Sequence, residues 1–255
     1  MDAARVRAAQ RELYEAGEYC AFSATVRPIA EALVNHAAPR PEDVVLDVAA
    51  GDGVVSAWVR RAGAEVVAVD ISPVQLRRAR AQIAGLPVAA CDAERLPFAD
   101  GTFDVVLSNF GAVLAPDCER VACELFRVCR PGGLVALTAW PSDSVIAEMG
   151  RVAREAAPDP AGFPDQELGW GDAATARRRF AAHADDVSTS PGSIVWDLAV
   201  RGGAGADDFA ARYAAERLPG VELGALRAEI AARHTDSAGN LIADYLLVAG
   251  RRRHP

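Results

Sequence analysis

The chain has 255 residues, of which 51% are hydrophobic and 24% charged, so one large domain can bury a substantial core. Its formal net charge of -8 argues against an extended nucleic-acid surface, because phosphate binding needs clustered positive charge. No apolar run approaches the roughly 18 residues of a membrane span, and the first residues lack the apolar core of a signal peptide. We therefore expect a cytoplasmic protein with neither a nucleic-acid nor a membrane partner.

Cysteine and lysine usage narrow the chemistry further. The five cysteines include no CxxC pair, which is typical of thiols in a reducing compartment rather than of a metal or redox site. All 27 basic residues are arginines, so a Walker A loop and a pyridoxal Schiff base, which both need lysine, are excluded. We expect no metal.

The predicted elements begin with two helices in residues 1–37, which share an apolar stripe. After them, apolar β-rich segments alternate with amphipathic ones, which predicts a mainly parallel sheet covered by helices on both faces. The stripe consists of Phe22, Val26, Ile29 and Leu33. The predicted strands are 43–48, 65–70, 87–91, 103–109, 133–139, 193–200 and 242–249.

Helix signals lie between these strands. Ser72 and Pro73 supply an N-cap and a first-turn proline for a helix that continues to about Ile83. Pro116-Asp117 opens another helix, and Pro131-Gly132-Gly133 is predicted to turn the chain into the fifth strand.

No linker separates two halves of the chain, so we interpret it as a single domain of residues 1–255. Its parts are an N-terminal helical lid (1–40), a ligand-binding core (41–140), a cap insertion (141–190) and C-terminal strands and helices (191–255). An insertion beyond the ends of the strands is well placed to cover a ligand.

Three successive predicted strands end in a carboxylate, at Asp47, Asp70 and Asp92. Because the carboxyl ends of parallel strands meet at one edge, these carboxylates are expected to lie together. A pyrophosphate beside Asp47 and Asp52 would be repelled by about 4 kcal/mol at roughly 4 Å, so a nicotinamide dinucleotide is disfavoured. A ligand that combines adenosine with a cationic tail fits better, and S-adenosylmethionine (SAM) is such a ligand.

Four motifs carry a family resemblance: "LDVAAGDG", "VVAVDISP", "CDAERLPFADGTFDVVLSNFG" and "RVCRPGGLVALTAW". In this order and spacing they resemble the class I SAM-dependent methyltransferases, most closely the small-molecule group around the ubiquinone/menaquinone C-methyltransferases. The resemblance is firm over about residues 40 to 140. It implies a Rossmann-like, doubly wound α/β sheet of seven strands, mostly parallel with an antiparallel last strand.

The resemblance also implies a role for each matching position. The methionine end of the cofactor is expected at the first glycine turn, the ribose at the second strand end, adenine near the second and third, and the sulfonium near the fourth. The matching residues are Asp47, Ala49, Gly51 and Gly53 for methionine, Asp70 for ribose, Ile71, Asp92 and Ala93 for adenine, and Asn109, Phe110 and Gly111 for the floor near the sulfonium. The family usually has glycine where Ala49 stands, which predicts tighter packing rather than lost binding.

Acceptor and catalytic residues are less well marked. The aromatic candidates for an apolar acceptor pocket are Tyr14, Tyr19, Trp140, Phe163 and Trp170, each of which could equally pack the cover onto the core. A general base is needed only if the acceptor must lose a proton. His183 and His234 are the two histidines that we consider for it, although a surface role is favoured for both, and we expect orientation and desolvation to carry the reaction.

Three functions remain open. The first is methyl transfer to a small molecule in quinone-type or specialised-metabolite biosynthesis. The second is a reaction such as cyclisation that uses the same cofactor site without transferring the methyl group. The third is a non-catalytic SAM-binding partner of another enzyme. A homodimer is compatible with each.

Overall fold

The computed structural model of the chain describes residues 3–15, 23–156, 169–196, 232–238 and 240–254. Within these ranges, seven strands form one sheet in the order β3-β2-β1-β4-β5-β7-β6. The strands are β1 (Val44–Val48), β2 (Glu65–Asp70), β3 (Val88–Ala90), β4 (Phe103–Asn109), β5 (Cys129–Ala139), β6 (Ala184–Val195) and β7 (Ile242–Arg252).

Seven α-helices accompany the strands in the described part of the chain, besides short helical stretches at residues 23–25 and 232–234. They are α1 (Ala3–Glu15), α2 (Arg27–Ala37), α3 (Val54–Arg61), α4 (Pro73–Gln82), α5 (Cys118–Val128), α6 (Val145–Ala156) and α7 (Ala173–Ala181). Side-chain caps start several of them: the Ser72 hydroxyl accepts from Gln75 N–H, and the Asp117 carboxylate accepts from Arg120 N–H. Both caps lie where the sequence predicts them.

The pairing of strands confirms the predicted Rossmann-like fold. β1 pairs in parallel with β2 on one side and with β4 on the other, so the strand order reverses between β1 and β4. β7 is antiparallel to both β5 and β6. All other strand pairs that the structure describes are parallel, as expected for a sheet with an antiparallel last strand.

Each face of the sheet packs against its own layer of apolar side chains. Leu46 and Val106 belong to one cluster, which includes the apolar face of α5. Val45 and Leu107, their neighbours along β1 and β4, belong to the other, which includes α2 and α3. All four side chains are fully buried, as expected for central parallel strands covered on both faces.

The predicted sixth strand, 193–200, was wrong in where it begins, and residues 197–200 lie outside the described part of the chain. β6 instead runs from Ala184 to Val195, and it is an edge strand paired only with β7 in the described sheet. Its sequence, ADDVSTSPGSIV, shows no alternation of apolar and polar residues, because an edge strand is partly exposed to solvent. An edge strand also tolerates Pro191, since proline cannot donate a backbone hydrogen bond. β5 also begins earlier than predicted, at Cys129, which pairs with Phe103 before the register shifts.

Of the predicted cap, residues 141–190, the structure describes 141–156 and 169–190, while 157–168 lie outside the described residues. Ala176 and Phe180 of α7 are fully buried in the cluster beneath α5, so α7 covers the sheet rather than a ligand. The last part of the range lies in β6. Among the described helices, none is both long and apolar enough to cross a membrane.

Candidate functional site

The carboxyl ends of β1, β2 and β3 bring the three predicted carboxylates to one edge of the sheet. Asp47 pairs with Ala68 in the β1–β2 register, Asp70 pairs with Ala90 in the β2–β3 register, and Asp92 follows β3 by two residues. The edge lies beside the reversal of strand order between β1 and β4, where open α/β sheets bind ligands.

Asp47 is the most deeply buried of these carboxylates. It is 0% exposed, and its Oδ2 accepts hydrogen bonds from the backbone N–H and the hydroxyl of Ser56, at 3.0 and 2.6 Å. Burial raises the pKa of Asp47 to about 7 although the Ser56 hydrogen bonds oppose the rise. Oδ1, in contrast, is buried with no hydrogen-bond partner among the described residues. Such an atom favours a hydrogen-bond donor or a cation as its neighbour.

The turn after β1 has an unusual backbone. Ala49 has a φ of 54°, in the left-handed region, and Gly51 and Gly53 also have positive φ. A Cβ placed on Gly111 would lie 2.5 Å from the Ala49 Cβ, so the glycine makes room for the alanine that replaces the usual family glycine. The predicted tight packing at Ala49 is therefore present. Phe110, beside Gly111, has a φ of 63°, and strained residues of this kind cluster at functional sites.

Asp70 shapes the same turn from β2. One of its oxygens accepts from the Gly51 N–H at 2.9 Å and the other from the Ser72 N–H at 2.8 Å. Burial raises the pKa of Asp70, and these backbone hydrogen bonds partly offset the rise. Asp70 thus holds the glycine turn in place, in addition to any contact with a ligand.

Helix α1 lies across the ends of β2 and β3. Its Arg7 pairs with Asp92, with Nε 2.6 Å from Oδ2, and also with Glu94. At the other end of the helix, Glu15 accepts a hydrogen bond from the Ser72 hydroxyl at 2.7 Å. The helix therefore engages polar groups at both the predicted adenine position and the predicted ribose position.

An aromatic cluster adjoins this edge near β5 and β7. Phe110 and Trp140 stack with ring centroids 3.7 Å apart and planes 2° from parallel. The residues of the cluster, which pack against one another, are Val26, Ile29, Phe110, Trp140, Val145, Trp196 and Ala243. Asn109 lies below it, where its side-chain oxygen accepts from the Thr138 hydroxyl at 2.8 Å.

The remaining predicted residues are divided between this edge and other places. Ile71 and Ala93 are half-buried beside Asp70 and Asp92, and Tyr14 lies on α1, where its carbonyl accepts from Gln75. Trp170 was predicted to line the acceptor pocket, but it is buried in the sheet core, edge-on to Phe180. Tyr19 and Phe163 lie outside the described residues.

The two candidate histidines lie at opposite edges of the sheet. His183 directly precedes β6, whose first residue pairs with Arg252, so it lies at the edge opposite the carboxylates. Its ring packs against Phe126. That placement removes His183 as a general base. His234 lies before β7, at the same edge as the carboxylates, with Nε2 3.3 Å from Glu148 Oε2.

Sequence reasoning missed several residues of this edge. Trp196 follows β6 as Trp140 follows β5, and an aromatic residue at the end of a strand is a signal that could have identified it. Arg7 and Glu148 carry no such signal, because their roles arise from packing of α1 and α6 over distant strands.

Comparison with known proteins agrees with this geometry. Residues 46–137 match a family model described as a methyltransferase domain. A protein of Mycobacterium tuberculosis is 39% identical over 193 residues, which cover 73% of this chain and 70% of that protein. The demethylmenaquinone methyltransferase of Streptomyces avermitilis is 43% identical over 98 residues, or 38% of this chain and 42% of that one.

A solved structure shows the same fold. Phosphoethanolamine N-methyltransferase 2 of Haemonchus contortus, in complex with SAM, superposes with a TM-score of 0.61 at 15% identity, covering 89% of this chain and 53% of that one. Because the sheet order, the motifs and these matches agree, we conclude that the chain belongs to the SAM-dependent methyltransferase family.

Proposed function

We propose that the protein transfers the methyl group of SAM to a small apolar or aromatic acceptor, in quinone-type or specialised-metabolite biosynthesis. The observation that carries the proposal is the unpaired Oδ1 of Asp47, buried at the reversal of strand order. A buried carboxylate oxygen without a partner suits the cationic end of SAM and would repel a phosphate.

The carboxylates at this edge of the sheet complement the hydrogen-bond donors and the positive charge of SAM. Asp47 would hold the ammonium group and Asp70 the ribose hydroxyls, while Asp92 would accept the adenine amino group. Gly51, in the turn after β1, carries no Cβ that would block close approach of a ligand to the backbone. Asp92 is engaged by Arg7, so α1 must release or share it when adenine binds.

When bound, SAM supplies a methyl group already activated by its sulfonium. The chain must orient the acceptor toward the methyl group and exclude water from the site. Correct alignment of two reactants can supply a large part of a rate acceleration. Phe110 and Trp140 are both more than nine-tenths buried and form a flat, apolar wall next to Asn109. Such a wall would align a planar acceptor and exclude water.

Two observations support a small apolar or aromatic acceptor: the stacked Phe110 and Trp140 rings, and one similar protein. The similar Streptomyces avermitilis protein is named a demethylmenaquinone methyltransferase, and the match spans 42% of its length. A cytoplasmic location is proposed because the described cysteines, Cys91, Cys118, Cys123 and Cys129, are free thiols.

The test is transfer of label from methyl-labelled SAM to a panel of small aromatic acceptors, including phenol, 4-nitrophenol and 1,4-naphthohydroquinone. We expect label in an extractable product and none with Asp47→Asn, which matches the wild-type side chain in size but lacks its charge. A product without label would favour cyclisation or another reaction without methyl transfer. Tight binding of SAM with no product from any acceptor would favour a non-catalytic partner.

A further inference from the structure

The edge of the sheet that holds the donor site also holds a histidine paired with a carboxylate. Glu148 lies on α6 one helical turn after Val145, which packs in the aromatic cluster. His234 precedes Thr235, whose backbone bridges to Leu241, and Leu241 packs against the same cluster. These chain neighbours place the His234–Glu148 pair near the aromatic cluster that we propose as the acceptor wall.

The contact is largely withdrawn from solvent. Nε2 of His234 lies 3.3 Å from Oε2 of Glu148, and the two side chains are 12% and 18% exposed. Arg233 pairs with the same oxygen at 2.9 Å. Burial alone would raise the pKa of Glu148, but the hydrogen bond from Arg233 and the nearby His234 ring outweigh it and hold that pKa below its ordinary value. Glu148 is thus an anion at neutral pH.

An anionic partner selects one form of the imidazole. At 3.3 Å, His234 Nε2 and Glu148 Oε2 form an ion-pair contact without hydrogen-bond geometry. A neutral His234 with its proton on Nε2 turns that N–H toward the Glu148 carboxylate, which leaves the lone pair on Nδ1. The arrangement is that of a base oriented by a carboxylate, which stabilises the imidazolium after proton uptake.

The other three histidines lie at the opposite edge. His183 precedes the first residue of β6, His36 lines a cleft with Gly133 at the start of β5, and His254 lies beside Gly132. With four histidines in the chain, His234 is the one at the edge of the donor site. The sequence narrowed the candidates to His183 and His234, and the fold distinguishes between these two.

We propose that His234, positioned by Glu148, accepts the proton of a hydroxyl acceptor during methyl transfer. The inference rests on the methyl transfer proposed above. As the acceptor oxygen bonds to the methyl carbon, its O–H proton passes to Nδ1 of His234, and the electron pair of the breaking C–S bond stays on sulfur. The imidazolium, held by Glu148, later returns the proton to solvent.

The test compares two probes that differ in whether a base is needed. Phenol must lose a proton on methylation, whereas 4-nitrophenol is already largely ionised at mildly alkaline pH. We expect His234→Gln to lower kcat about a hundredfold with phenol and less than about threefold with 4-nitrophenol. Glu148→Gln should lower kcat with phenol about tenfold, again with little effect on 4-nitrophenol. His183→Gln, at the opposite edge, is the matched control and should leave both rates unchanged.

Binding of S-adenosylhomocysteine (SAH), measured by calorimetry, confirms that each variant is folded. An equal loss with both probes would indicate a structural role and overturn the proposal, as would a His234→Gln rate with phenol within about threefold of wild type. If wild type methylates neither probe but does methylate an acceptor without a dissociable proton, the proposal that His234 acts as a base is wrong. The proposal of methyl transfer is then supported. If nothing in the panel is methylated, the proposed function itself fails.

Discussion

Among single residues, Asp47 links the stability of the protein to its function. Burial raises the pKa of Asp47 to about 7, well above the value of an exposed aspartate. The contribution of Asp47 to the free energy of unfolding is therefore fully present below about pH 4 and is lost as the pH rises through about 7. Above about pH 7, the buried, ionised Asp47 lowers the free energy of unfolding of the protein without ligand. A bound cation would offset that loss.

This predicts pH-dependent binding of SAH, which carries the ammonium group. The affinity should rise as the pH increases from about 6 to about 8, because the ionised form of Asp47 binds the cation. Asp47→Asn should weaken binding at least about tenfold and flatten this dependence, since a lost charge-assisted hydrogen bond is worth roughly 1.5–3 kcal/mol. Calorimetry across this pH range measures both effects.

The control is the thermal stability of the same variant without ligand. Asp47→Asn should melt higher than wild type at mildly alkaline pH, because it removes a buried charge. An unchanged affinity in this variant would place the cationic end of the ligand elsewhere.

Asp70 combines two roles that a single substitution affects together. Asp70→Ala should weaken SAH binding by about 1.5–3 kcal/mol, since it removes an acceptor for two hydroxyls. It should also lower the melting temperature, because the Gly51 and Ser72 N–H groups lose their buried acceptor. Calorimetry and thermal melting together check the prediction. Wild-type affinity in a destabilised variant would make Asp70 purely structural.

At the scale of elements, α1 acts as a cover whose polar contacts coincide with those expected of adenosine. Arg7 holds Asp92 and Glu94, and the Arg7 and Asp92 side chains are each 28% exposed. A pair this open contributes only about 0.5–1 kcal/mol, so a ligand can displace it.

If Arg7 and adenine compete for Asp92, Arg7→Gln should tighten SAH binding about two- to fivefold. This factor corresponds to the free energy of the Arg7–Asp92 ion pair. Arg11→Gln, an exposed position on the same helix, is the matched control and should have no effect. Calorimetry at low ionic strength gives the largest difference, because salt screens exposed pairs. Weaker binding of the Arg7→Gln variant would show that Arg7 stays on Asp92 in the complex.

At the scale of the whole molecule, the central sheet could be predicted because its signals are local. β1, β2 and β4 are largely buried, and mostly apolar runs with an aspartate or asparagine at or next to the last residue mark them in the sequence. β6 could not be placed, since an edge strand is held by backbone pairing with β7 rather than by apolar side chains. Its polar residues gave no periodic pattern.

The residues of the candidate site also separate into those that local sequence predicts and those that it does not. Asp47, Asp70 and Asp92 follow from strand ends and family motifs, all of them local in sequence. Arg7 and the His234–Glu148 pair depend on helices packing against strands far along the chain, so no short motif reports them. Trp170 shows the converse, because its aromatic character did not reveal that it packs in the core cluster with α5 rather than in the cluster with Phe110 and Trp140.

The central claim is that SAM binds at the edge where β1, β2 and β3 end in carboxylates. A crystal structure of the protein with SAH tests it most directly. The account predicts the ammonium group within hydrogen-bond distance of Asp47 Oδ1, the ribose hydroxyls on Asp70 and the adenine amino group on Asp92, with the sulfur facing Phe110 and Trp140. SAH bound elsewhere, or bound at this edge with Asp47 Oδ1 still without a partner, would contradict it.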